Sequence, residues 1–168
     1  NLGETDTALT AVGAASGGRS AAVDAVAQVD TVTGISGVLN AAANGDSFAI
    51  DIGGTTITAT VAGVVNPGDF SVADLASALN TANTAVAVTF GTDGADLTVT
   101  ADVAGTAFTT NSFQRTPSGG VAANVGSFST TTANVVATNE FVVLDKNTVG
   151  GGAIAAAATK EAFITING

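Results

Sequence analysis

The sequence predicts a mainly β chain of the α+β class, a sheet- or sandwich-like subunit built on one ββαββ unit with short N-terminal helices ahead of it. Three observations lead there. Apolar and polar residues alternate through several short runs, the period of a half-buried strand. Gly-Gly, Asn-Pro-Gly and Asp-Gly steps separate those runs and supply the turns. One stretch between them pairs a cap signal with apolar residues at helical spacing.

Residues 1–43 form an Ala-rich N-terminal arm. Its opening piece, NLGETDTALTAVGAASGG, is open between helix and extended arm, and Gly17-Gly18 marks a joint. In SAAVDAVAQV the spacing of Val23, Val26 and Ala27 after a cap at Ser20 predicts a helix. A second short helix is expected over Ser36–Ala43, ended by Asn44-Gly45.

Residues 44–105 carry the clearest pattern. Phe48, Ile50 and Ile52 alternate with Ala49 and Asp51, and Gly53-Gly54 turns this strand into TTITATVAG, where Ile57 and Val61 are the apolar positions. After Asn66-Pro67-Gly68, Ser71 and Asp74 form an S-x-x-D cap that places Val72, Leu75 and Leu79 on one helical face, able to cover a sheet. Val86, Val88 and Phe90 then alternate, GTDG turns the chain, and Leu97 and Val99 return. The order is strand, strand, helix, strand, strand.

The segments GDSFAIDIGGTTITATV, FSVADLASALNTAN and VAVTFGTDGADLTVTA together resemble the flagellin hook IN motif, a module of bacterial flagellar filament proteins and of repetitive surface proteins. The resemblance covers roughly a third of the chain, and the long terminal helices of a complete flagellin are missing on both sides of it. It implies a surface-exposed structural module.

Residues 106–168 read as a strand-rich C-terminal lobe: AFTTNSF, VGSFSTTTANVVAT, EFVVLD and EAFITING, with RTPSGG and TVGGGA as turns and GGGAIAAAATK open between helix and flexible approach. EAFITING looks like the entry to a second unit of the kind opened by DSFAIDIGG, with Phe163 answering Phe48. On that reading the last strand is left without its hairpin partner, and an apolar edge strand invites pairing with another chain. Two expectations follow: a piece of a tandem array, or a candidate exchanged strand whose interface residues are Phe163, Ile164 and Ile166.

Composition narrows the chemistry. The 168 residues contain no Cys, His, Trp, Tyr or Met, which removes the usual nucleophile, neutral-pH base and transition-metal ligands. With 4 basic residues (Arg19, Arg115, Lys146, Lys160) against 14 acidic ones, the net charge is −10, so a phosphate backbone is repelled and nucleic acid is not an expected partner. No apolar run approaches the roughly 20 residues of a membrane span. Asn1 in place of Met fits a chain that has lost a leader or been cut from a longer polypeptide, and both fit export.

Candidate sites are few. Asp93 with Asp96, Asp46 with Asp51, and Asp145 are the acidic residues nearest to calcium-ligand positions, but they match no calcium loop, and Asp93-Gly94 is turn chemistry. Lys146 and Lys160, near Asn147 and Asn167, suggest an isopeptide bond, against which stands the plainer reading of solvated lysines. GGGA and DIGG lack the Lys and helix of a phosphate loop. Paired carboxylates without aromatic platforms make poor glycosidase material. The expectation is therefore not an enzyme and no cofactor. A secreted, extracellular structural subunit at the cell surface is expected instead, assembling head-to-tail with copies of itself into a filament, tube or layer through a terminal segment, either EAFITING or the Ala-rich N-terminal arm. The alternative is an outer domain of a flagellin or adhesin repeat.

Overall fold

The computed structural model describes residues 19–20, 22–144 and 162–166. The opening arm with its Gly17-Gly18 joint, the GGGAIAAAATK segment, and Asp145, Lys146, Asn147, Lys160 and Asn167 lie outside the described residues. Packing divides the chain into a unit of residues 25–136 and a second unit formed by residues 1–24 with 137–168. The divisions read from sequence, at 43/44 and 105/106, both fall inside the first of these.

The larger unit is a β-sandwich of two antiparallel four-stranded sheets. Its elements are β2 (Val29–Thr33), α1 (Ser36–Asn40), β3 (Ser47–Ile52), β4 (Thr55–Thr60), α2 (Val72–Ala82), β5 (Val88–Asp93), β6 (Asp96–Ala101), β7 (Thr110–Thr116), β8 (Ala123–Asn124) and β9 (Ser127–Thr132). The hairpins β3–β4 and β5–β6 do not share a sheet. One sheet runs β5-β6-β2-β9 and the other β4-β3-β7-β8, because each hairpin takes its remaining neighbours from segments far away in sequence.

Period-two alternation is realised as burial. Phe48, Ile50 and Ile52 of β3 and Ile57 and Ala59 of β4 face those of β5 and β6, namely Val88, Phe90, Leu97 and Val99, all buried in one core. The Phe48 ring stacks against Phe70 at 6.0 Å and Phe113 at 5.7 Å between centroids. Helix α2 adds Val72, Leu75, Ala76 and Leu79 to that core, the face its spacing predicts. Its start is fixed as the sequence indicates: Ser71 Oγ accepts from the Asp74 amide while the Asp74 carboxylate accepts from the Ser71 amide. The helix packs against β4 and β5, an edge strand from each sheet.

Glycine sets the two hairpin-like joints that matter most. Gly53 and Gly54, with φ of +60° and +88°, make the tight turn between β3 and β4. Gly126, at φ +73°, lets the chain pass from β8 in one sheet to β9 in the other. A Cβ there would come within 2.8 Å of Ile35 Cγ2 and the Thr33 carbonyl oxygen.

Three local expectations are corrected. SAAVDAVAQV does not form a helix over its described part: Val26 bridges Val135, Val29 opens β2, and in the smaller unit Val23 bridges Thr138. Backbone pairing to a distant segment outweighs a weak helical pattern in β-branched residues that favour extended backbone. The second N-terminal helix closes at Asn40, short of Ala43. The turn after β5 is Gly94-Ala95, so of GTDG only Gly94 lies in the turn, and Gly91, Thr92 and Asp93 remain in the strand.

In the smaller unit, β1 (Arg19–Ser20), β10 (Glu140–Leu144) and β11 (Ala162–Ile166) form an antiparallel sheet in the order β1-β10-β11.

Candidate functional site

Among the described residues, the two buried carboxylates and Arg115 are committed to holding the fold. Asp46 is buried, and its carboxylate accepts from the Arg115 guanidinium at 2.6 Å and from the Ser118 and Ala43 amides at 2.8 and 3.1 Å. Burial pushes this carboxyl up, but Arg115 and the two amides overcome that and hold it below its ordinary value. Asp30, also buried, accepts from Gln28 Nε2, Thr110 Oγ1 and Thr130 Oγ1 at 2.8–3.0 Å, tying β2 to β9 and to β7 of the opposite sheet. Gln28 in turn exchanges hydrogen bonds with the Phe108 backbone in both directions.

The described acidic residues considered as cation ligands do not gather into one group. Asp93 and Asp96 flank the Gly94-Ala95 turn, while Asp51 serves its own turn by accepting from the Gly54 amide at 2.9 Å and also accepts from the Asn111 amide group. Among the described residues no three acidic side chains come together as a metal site, and no buried polar side-chain atom lacks a partner.

Strand edges, in contrast, differ sharply in how they are finished. On β5, Asn80 of α2 donates to the Phe90 carbonyl and accepts from the Phe90 amide, both at 2.8 Å. Asn83, at the end of the same helix, donates to the carbonyls of Val86 and Val88 and accepts from the Val86 amide. The helix therefore supplies side-chain substitutes for a neighbouring strand, and Val86 is held by Asn83 instead of extending β5. Sequence reading missed this role. Its one local signal was a pair of Asn three apart at a helix end, directly before a strand.

The residues expected at an assembly interface, Phe163, Ile164 and Ile166, all fall on β11. The strand is not left unpartnered, which corrects the sequence expectation: β10 pairs with it along its whole length, Val143 opposite Phe163, Val142 opposite Ile164 and Glu140 opposite Ile166. A long-range pairing to EFVVL, invisible to local pattern, supplies the partner in place of a hairpin strand. On its other side β11 has no hydrogen-bonded neighbour among the described residues.

Comparison with known protein families, characterised proteins and solved structures found no match to this chain. The described helices include none long and apolar enough to cross a membrane.

Proposed function

We propose that the chain is a structural subunit of an extracellular filament, tube or surface layer at the cell surface, joined head-to-tail to copies of itself through β11. One observation carries this reading: AFITI, an apolar segment, lies at the rim of the β1-β10-β11 sheet with one side paired to β10 and the other unpaired among the described residues. Adding a strand from the next copy gives backbone hydrogen bonds for strength, with Phe163, Ile164 and Ile166 setting the register. Such a contact joins unlike surfaces, so it propagates without closing. The commitment of Asp30, Asp46 and Arg115 to internal contacts fits a mechanical role with no catalysis and no cofactor.

A second reading has its own support. Val26 and Val135 exchange backbone hydrogen bonds at 2.9 and 3.1 Å, so the sandwich of residues 25–136 begins and ends at one place. A module whose ends meet can be carried as an insertion and presented to solvent, as an outer domain of a flagellin or adhesin repeat would be. The resemblance to the hook IN module supports the same view.

The test of the first reading is sedimentation of the concentrated protein with and without residues 161–168. Assembly that pellets the intact chain and leaves the shortened chain in solution agrees with it. Equal pelleting of both, or of neither, removes β11 as the joint.

A further inference from the structure

The larger unit has a guarded side and an unguarded one. On the guarded side α2 packs against β4 and β5, and Asn80 occupies the amide and carbonyl of Phe90. Across the same sheet from β5 lies β9, Ser127–Thr132. No side chain or loop among the described residues hydrogen-bonds to the backbone of β9. It contains no Pro, Lys, Asp or Glu, the residues that usually discourage edge pairing. A bulge between Val29 and Asp30 shifts the β2–β9 register around Thr131, so the regular part of the edge is Ser127–Thr130.

Charge selects the occupant. The chain carries −10 overall, yet residues 116–139, which include β8 and β9, contain no charged side chain. Two such chains repel one another overall, and an edge strand without charged side chains adds no local conflict to that repulsion, whereas the β5 edge ends in Asp93 with Asp96 opposite. We propose that the outer edge of β9 pairs antiparallel with β9 of a second copy, across a two-fold axis. Identical strands related this way are self-complementary, and Ser and Thr facing one another contribute favourable cross-strand pairs without like-charge conflict. A four-residue edge buries far less than the about 1,000 Å² of a stable independent interface. The contact is thus a lateral one, weak singly and effective when many copies are arrayed. It is additional to the β11 joint and does not depend on it.

The absence of Cys from the sequence makes the test direct. Full-length Ser127→Cys, Ser129→Cys and, as control on the capped edge, Thr92→Cys are oxidised mildly at high protein concentration. All three positions are exposed. Covalent dimer is expected at least about tenfold faster at 127 or 129 than at 92, the margin that separates a populated contact from random collision. Rates at 127 and 129 no greater than at 92 overturn the proposal. So does cross-linking at 127 or 129 to a different protein in place of a second copy. Pelleting of the same samples is read separately: dimers without polymer retain this contact and remove the β11 joint, and polymer without dimers does the reverse.

Discussion

Asn80 holds Phe90 by both of its backbone groups, each at 2.8 Å, so a helix side chain takes the place of a strand at the edge of a sheet. Removing that carboxamide by Asn80→Ala leaves two backbone groups to find water and exposes the β5 edge. A loss of about 1–2 kcal/mol is expected in urea unfolding, given the modest net value of each hydrogen bond. A greater tendency to aggregate should accompany it, read by light scattering at equal protein concentration. An unchanged variant in both measurements would show that the edge is guarded by the bulk of α2 alone.

Asp46 and Arg115 form a part-buried pair, with the carboxylate side chain 3% and the guanidinium side chain 18% exposed. Asp46→Asn should cost about 2–3 kcal/mol, below the roughly 3–5 kcal/mol of breaking a fully buried pair because Arg115 keeps some water. Chemical denaturation at pH 7 measures it.

The pH dependence follows from the same group. The folded pKa of Asp46 lies below its ordinary 3.8. That of Asp74 is lowered too, chiefly by the Ser71 hydroxyl and then by the Ser71 amide. A depressed carboxylate contributes stability that is present above the unfolded pKa and is lost as pH falls through the folded one. Urea midpoints should therefore be level from pH 7 to about 5 and fall below about pH 4. Asp46→Asn should make that fall shallower, and an equally steep fall would assign the acid sensitivity to other carboxylates.

Gly126 and Gly119 share a φ of +73° but not their surroundings. At Gly119 a Cβ meets nothing within 4 Å, whereas at Gly126 it meets Ile35, Thr33 and Val32 at 2.8–3.0 Å. Gly119→Ala should cost about 1 kcal/mol for the backbone alone. Gly126→Ala should cost that plus about 1–3 kcal/mol of overpacking. Thermal unfolding of the two variants separates the effects, and equal losses would mean that the β8–β9 corner yields freely.

What the sequence disclosed was whatever is decided locally. Alternation over Phe48–Ile52, the Gly53-Gly54 turn and the Ser71–Asp74 box each act within a few residues, and each stands in the structure as read. What it concealed depends on partners far along the chain. Val23, Val26 and Ala27 are spaced like a helical face, but Val23 pairs with Thr138 and Val26 with Val135. Those partners lie far along the chain, and nothing within the segment names them. The Asp30 network reaches Thr110 and Thr130 and is equally non-local. For the proposed joint, the sequence named the residues of β11 and missed both its pairing to β10 and the edge capping of β5, since an edge exists only once a sheet order is known.

Assembly through strand edges would be visible in electron micrographs of the concentrated 168-residue chain. Ordered filaments, tubes or sheets with one subunit per repeat are expected. Particles that remain single subunits at every concentration and salt tried would contradict such assembly.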